Sequence, residues 1–384
     1  MSVSVAMLLS NSFRPDPRVY KEARSLAQAG YKVTIICWDR QAELPAHEQM
    51  DGFEIRRIAI RSAYKAGSRQ IFHLPRFWQS ALRELRRLQP DIVHCHDLET
   101  TPAGYWYARA RHIPWILDAH ECYPEQTRMH TNVIIYFLLL WLERFMTRRA
   151  TQVITVGHLL AQRFRSMGGR VSVVGNYQPL TTQKSGSVVS RADLGLRADD
   201  FVVAYIGSFI PSRVIVPLMQ ATQYCPEAQV LLLGDGPQRS AIEAELLKYP
   251  RVRYLGQVPQ ERVPDYTSLA DVIYYGLSAE DRNNHYSCPN ALFNALAAGK
   301  PLITTNVGEI AHIVQEKQCG VVVEEPTPVI LSEAMKKLLD SSIRDRKAEN
   351  ARRAAREEYN WQAAEKILLA EYQRIHETVL SFSH

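Results

Sequence analysis

Residues 287–309 read Ser-Cys-Pro-Asn-Ala-Leu-Phe-Asn-Ala-Leu-Ala-Ala-Gly-Lys-Pro-Leu-Ile-Thr-Thr-Asn-Val-Gly-Glu, and the way this string breaks up decides the fold. Ser287 is a capping residue, and Pro289 has its φ already fixed for a first helical turn. The apolar run Ala291 to Ala298 predicts a short helix. Gly299 stops it and Pro301 prevents it from continuing. Leu302 to Thr305 reads as a buried parallel strand, after which Gly308-Glu309 opens another helix. Unpaired N–H groups at a helix start beside the end of a parallel sheet suit a phosphate or diphosphate. An ordinary αβ unit of a doubly wound sheet gives the same pattern.

The pattern recurs on both sides. Val3 to Ser10 is a near-continuous apolar run, as expected of a strand covered on both faces. After a loop, Val19 to Ala29 predicts a helix closed by Gly30, and Lys32 to Trp38 a second strand. This is the opening of a Rossmann-like domain, but without the glycine fingerprint of a dinucleotide site. Strands are also predicted at 53–58, 91–95, 114–117, 152–156 and 171–174. From Tyr177 to Asp199 the composition turns to Thr, Gln, Ser, Lys and Gly with no apolar period, which is linker chemistry. Phe201 to Ile206 starts a second sheet, and helices over 328–339 and 344–380 end the chain. The expectation is an α/β protein of two Rossmann-like, doubly wound parallel-sheet domains, at 1–178 and 200–360. A linker covers 179–199 and a final helix 361–384.

Composition bounds the function. The chain has 384 residues, 46% hydrophobic and 22% charged, an ordinary globular balance. Residues 1–178 hold 24 Lys and Arg against 15 Asp and Glu, whereas the remainder holds 22 against 25. A basic first half suits an anionic partner: a membrane surface, a lipid phosphate or a nucleotide. A solvated face on the Arg76–Arg87 helix accounts for part of that charge equally well. The six cysteines show no paired or metal-binding spacing and read as free thiols in a reducing cytoplasm. No export signal is visible. The most apolar run, Val133 to Leu142, is well short of the roughly 20 residues a spanning helix needs. It reads as a core helix or one lying at a membrane interface.

Polar residues crowd two strand ends. The strand ending at Cys95 carries His94, His96 and Asp97, and the strand ending at Leu117 runs into Asp118-Ala119-His120-Glu121. Ligand chemistry in parallel sheets gathers at this end. One alternative is a histidine pinned by Asp118 or Glu121 for structure. Another is zinc held by His94, His96 and His120, although nothing beyond the i, i+2 spacing matches a metal pattern.

The string Pro289-Asn290-x-Leu292-Phe293-x-Ala295-x-Ala297-x-Gly299-Lys300-Pro301 resembles the donor-binding segment of family 4 glycosyltransferases, which have the GT-B fold. The segment Asp16 to Val33 is similar to the start of that family's acceptor domain. The phrases around His94–Ala103 and Ile116–Glu125 resemble one branch of it, in which the second His lies near the transferred sugar. The resemblance spans about residues 5–375. It implies two domains facing across a cleft, with a last helix crossing back to the first near Asn360-Trp361. It implies a retaining transfer of a sugar from a nucleotide diphosphate to a glycan, lipid-linked or small-molecule acceptor. His120 and Asp118 take the catalytic positions. Gly207, Arg213, Gly256, Gln257, Cys288, Asn290, Ala291, Leu292 and Asn294 take the donor side. Arg14, Arg18, His96, Asp97 and Glu121 take the acceptor side, where Arg69, Phe72, Arg76, Phe77 and Trp78 loosely fit a lipid-linked or polysaccharide acceptor.

The resemblance implies no metal and no cofactor, because helix starts and basic side chains stabilise the leaving diphosphate. The free thiols, the lack of a visible export signal and the basic first half set the expectation of a cytoplasmic enzyme with peripheral membrane contact and no nucleic-acid partner. Three positions depart from the family pattern: Tyr286 and Asn294 replace its paired glutamates and Ala291 its lysine. These departures keep open a second reading, a catalytically weak or inactive nucleotide-sugar-binding relative that supports a partner enzyme.

Overall fold

In the computed structural model, which describes residues 2–14, 16–62, 73–180 and 189–381, the chain forms two α/β units. One is Met1–Gly175 together with Ala364–His384, and the other is Asn176–Ala363. Arg69, Phe72 and residues 181–188 of the expected linker lie outside the described residues.

The first unit is built on β1 (Ser4–Leu9), β2 (Lys32–Asp39), β3 (His47–Met50), β4 (Phe53–Ala59), β5 (Ile92–His96), β6 (Trp115–Ala119), β7 (Gln152–Thr155) and β8 (Val171–Val173). Their order is β3-β4-β2-β1-β5-β6-β7-β8. Its helices are α1 (Pro17–Gln28), α2 (Leu74–Leu88), α3 (Thr101–Arg111), α4 (Tyr123–Thr127), α5 (Val133–Arg149) and α6 (His158–Ser166). β5 and β6 are buried end to end, and β1 and β2 are buried beyond their first residues, Ser4 and Lys32, so their apolar runs need no alternation. Sequence reading missed β3, which pairs antiparallel with β4. The signal was Asp51-Gly52, whose φ values of 43° and 91° suit a two-residue hairpin turn.

The second unit is an all-parallel sheet of β9 (Phe201–Ile206), β10 (Ala228–Leu233), β11 (Val252–Tyr254), β12 (Val272–Tyr275), β13 (Leu302–Thr305) and β14 (Gly320–Val323). Its order is β11-β10-β9-β12-β13-β14. The helices are α7 (Ile215–Ala221), α8 (Arg239–Leu246), α9 (Val263–Leu269), α10 (Asn290–Ala297), α11 (Gly308–Glu316), α12 (Pro328–Leu339), α13 (Ser341–Glu357) and α14 (Trp361–Ser381), the last passing into the first unit.

In the 287–309 stretch, α10, β13 and α11 follow one another as expected, with Gly299 at φ 62° ending the helix. Capping differs from expectation. Pro289, not Ser287, is the N-cap residue, and it makes no side-chain cap. The Ser287 hydroxyl is committed to the Asn283 carbonyl, 3.2 Å away, in the 3₁₀ turn that precedes it. The expected single tail helix is broken at Asn360. The Asn360 amide donates to the carbonyls of Ala355 and Arg356 at 2.9 and 3.0 Å, and its oxygen accepts from the Ala363 N–H at 2.9 Å. One side chain thus ends α13 and caps α14.

Candidate active site

Strands β5 and β6 are adjacent and parallel, with His96 and Asp118 in register. Their side chains meet α1, whose N-terminal half carries Arg18 and Glu22 one turn apart on its buried face. The Arg18 guanidinium donates through Nε to Asp118 Oδ2 at 3.1 Å and through Nη2 to Oδ1 at 2.7 Å. Its Nη1 donates to the Val174 carbonyl at 2.6 Å, and Nη2 lies 3.0 Å from Glu22. Asp118 Oδ2 also lies 3.5, 3.2 and 3.2 Å from nitrogens of His94, His96 and His120. Four nitrogens from four residues therefore converge on one carboxylate oxygen. His94 is held from behind by the Tyr372 hydroxyl at 2.7 Å, and its ring stacks on His96 at 4.4 Å between centroids.

His120 is the member nearest solvent, with its side chain 17% exposed, whereas those of His94, His96 and Asp118 are fully buried. Its backbone N–H donates to Asp97 Oδ1 at 2.9 Å, and its Nδ1 lies 3.4 Å from Asp97 Oδ2. Asp97 itself sits at φ 59°, a region non-glycine residues rarely occupy. Its N–H donates to the Asp118 carbonyl at 2.8 Å, which ties the two strand ends together.

Charge in this cluster follows from burial and pairing. Burial alone would raise the Asp118 carboxyl, but Arg18 and then His120 hold it well below the usual carboxylate range. Burial would lower His120, yet Asp97 and Asp118 raise it to about 10. Burial pushes Glu22 up to about 8 against the pull of Arg18, and drives His96 down to about 3. At neutral pH the site therefore presents an imidazolium at His120 over neutral His94 and His96, with the Asp118 carboxylate beneath.

A group whose folded pKa is raised contributes stability below its ordinary pKa and loses that contribution as pH rises through the folded value. For His120 the window runs from 6.5 to about 10. The stability difference between the wild type and His120→Gln, read from urea melts, is expected to be largest below pH 6.5 and nearly gone at pH 10. A difference that stays constant across that range would remove the imidazolium.

The acceptor-side expectations divide. His96, Asp97 and His120 are brought together, with Glu121 following in sequence. Arg18 is 5% exposed and bound to Asp118, Glu22 and Val174. Arg14 is exposed and pairs with Glu48. Asp16 caps α1 by accepting from the Val19 N–H. Phe77 is a core residue stacked on Trp38, Trp78 donates to the Glu99 carbonyl at 2.7 Å, and Arg76 is exposed. Sequence reading missed Glu22 and Tyr372, and weighed His94 only as a metal ligand. Among the described residues, the set with ligand atoms within 4.8 Å of one another is Glu22, His94, His96 and Asp118, which lacks the His120 of the alternative zinc reading. Arg18 already supplies positive charge to two of those carboxylates.

In the second unit, Gly207, Gly234 and Gly256 lie together at the ends of β9, β10 and β11. The Gly234 N–H donates to the Gly256 carbonyl at 2.9 Å, and a Cβ at Gly234 would fall 1.8 Å from the Gly207 oxygen. Arg213 follows β9, donates through Nη1 to Asn284 Oδ1 at 2.7 Å and lies over the Tyr275 ring at 5.5 Å. Its buried Nε has no hydrogen-bond partner. Asn284 and Tyr275, which hold this arginine, were not expected. A cavity of about 360 Å³ opens beside it, between Val214, Leu277, Glu280, Thr305 and Glu324 at the strand ends. On α10, Leu292 is fully buried and belongs to the core, and Cys288 and Ala291 are also buried. Asn294 is half-buried, while Asn290 and Gln257 are exposed.

Residues 15–176 match the glycosyl transferase 4-like domain, and residues 200–341 match glycosyl transferases group 1. The lipopolysaccharide core biosynthesis glycosyltransferase LpsD of Rhizobium meliloti is 26% identical over 270 residues, covering 69% of each chain. An uncharacterised glycosyltransferase of Methanocaldococcus jannaschii is 22% identical over 384 residues, covering 88% of each. Among solved structures, sucrose-phosphate synthase from Thermosynechococcus elongatus superposes with a TM-score of 0.82 at 19% identity, over 98% of this chain and all of that one. HepE of Anabaena in complex with UDP-glucose superposes with a TM-score of 0.72 at 16% identity, over 98% and 99%.

Proposed function

We propose that this chain, which belongs to the family 4 glycosyltransferases of the GT-B fold, moves a hexose from a nucleotide-diphosphate donor to a glycan, lipid-linked or small-molecule acceptor, with retention at the anomeric carbon. The observation that carries this reading is the convergence of Arg18, His94, His96 and His120 on Asp118 Oδ2. It supports His120 as a positively charged donor at the end of a parallel sheet. As the anomeric C–O bond breaks, its electron pair goes to the departing phosphate oxygen and positive charge develops on the ring, so the His120 imidazolium acts as a hydrogen-bond donor to a sugar hydroxyl, a contact that strengthens in the transition state, and not as a proton acceptor. Asp118 positions that imidazolium and sustains its charge.

In the second unit, Arg213 supports the reading as a cation for the leaving diphosphate, and its unpartnered Nε is an unused donor. The start of α10 and the glycines at 207 and 256 support it as backbone surface for the donor. HepE holds UDP and UDP-glucose, and a nucleotide sugar is the ligand class we extend to this chain. Fixed dipoles and arginine take the place of a metal in this scheme. Six buried cysteines, none in a disulfide among the described residues, suit a reducing cytoplasm.

A panel of UDP, GDP, ADP and dTDP sugars tests the reading by thermal shift, since a ligand at 100 times its Kd adds about 2.7 kcal/mol of stability. Transfer to an acceptor extract, or slow donor hydrolysis, then tests catalysis. With the nucleotide found, Arg213→Ala is expected to weaken its binding by roughly 1.5–3 kcal/mol, the usual loss for a charge-assisted hydrogen bond. Unchanged affinity in calorimetry would remove Arg213 from the donor site. Tyr286 and Asn294, in place of acidic residues, favour the second reading of an inactive relative. A chain that binds a nucleotide sugar tightly and neither transfers nor hydrolyses it would establish that reading.

A further inference from the structure

The described part of the first unit carries an apolar surface that its own core does not use. Val133, Ile134, Phe137, Leu138 and Trp141 of α5 are 65, 76, 62, 57 and 59% exposed. Their spacing of three and four places them on one helical face. The same face continues through Arg144 and Arg148, both exposed, with Arg149 beside them over the Phe145 ring at 5.1 Å. The opposite face is anchored: Met146 and Thr147 are buried, and Glu143 is buried and paired with Arg163. The helix therefore lies fixed along the unit, with three apolar turns and then a basic end facing outward.

We propose that this face of α5 docks on an anionic lipid surface. At 17 residues the helix is about 25 Å long, and no described helix is long and apolar enough to cross a membrane. It suits lying in the interface, where Phe, Leu and Trp enter the acyl boundary while arginines meet lipid phosphates. Charge separates this occupant from a second copy of the chain. The helix has one acidic residue, Glu143, turned inward and already paired. A two-fold contact between copies would bring each set of arginines onto a face with no acid to receive it. The basic balance of residues 1–178 points the same way.

This docking does not rest on the transferase reading, and its test uses no substrate. The full chain is floated with vesicles of equimolar phosphatidylglycerol and phosphatidylcholine, and with phosphatidylcholine alone. Binding is expected to the first and at least tenfold less to the second. It should weaken with salt as screening shortens from about 10 Å at 0.1 M to about 3 Å at 1 M. The triple variant Ile134→Ser, Phe137→Ser, Trp141→Ser is expected to lose at least tenfold in partition with an unchanged melting temperature. Brominated lipid should quench part of the wild-type tryptophan emission, and Trp141→Phe should bind while losing that quenching. The proposal is overturned if the wild type stays unbound at low salt, or if the triple variant binds as well as the wild type. Self-association without vesicle binding, abolished by the triple variant, would assign the face to a second copy.

Discussion

Replacing His120 with alanine is expected to lower kcat by about 100-fold or more, while donor affinity stays within a few-fold. The side chain reaches the strand ends with its charge set by Asp97 and Asp118, and is 17% exposed there. An interaction that strengthens only in the transition state disappears from kcat and hardly from binding. His120→Gln keeps a hydrogen-bond donor without the positive charge, and is expected to retain more activity than alanine. Equal loss of donor affinity and turnover would show that His120 binds the ground state. No loss in an active enzyme would take it out of the chemistry.

Arg18→Ala is the most damaging single change expected for stability, at about 3–5 kcal/mol, because it leaves Asp118 as a buried charge without its strongest partner. Glu22 loses the same cation, and the Val174 carbonyl loses its donor. Urea unfolding should show the loss in the first unit's transition, with nucleotide protection of the second unit unaltered. In the cycle with Asp118→Asn, the double variant should lose less than the two single losses combined, since the unpaired charge is gone. A loss below about 1 kcal/mol, the range of an exposed pair, would contradict the buried geometry.

Much of this molecule was legible because its strands are apolar runs bounded by Gly, Pro and polar residues. The 287–309 stretch gave its helix, strand and next helix at nearly the right residues. The crowding of His94, His96, Asp118 and His120 was also visible, since strand ends in parallel sheets are predictable places. What joins them was not. Arg18 meets Asp118 across 100 residues, and His94 meets Tyr372 across 278. Arg18 and Glu22 did leave a signal, as charges on the helix face that also carries Val19, Ala23 and Leu26. Charge on a buried face means a partner inside. The cap at Ser287 failed for a local reason, because the preceding turn uses its hydroxyl.

The first unit is completed by residues made long after its sheet. Ser25, Ser172 and Gln152 bond to Glu365, Glu371 and Arg374 of α14, as His94 does to Tyr372. On the ribosome, those partners emerge only after the whole second unit, roughly 190 residues later, a delay of about 10–40 s at ~5–20 residues per second. During that interval Ser25, His94, Gln152 and Ser172 lack these partners. The usual sequence, in which the N-terminal domain folds first and alone, is therefore expected to be delayed in this chain. A nascent chain stalled before Ala364 should remain protease-sensitive in its first 175 residues, and release of α14 should be the step that protects them.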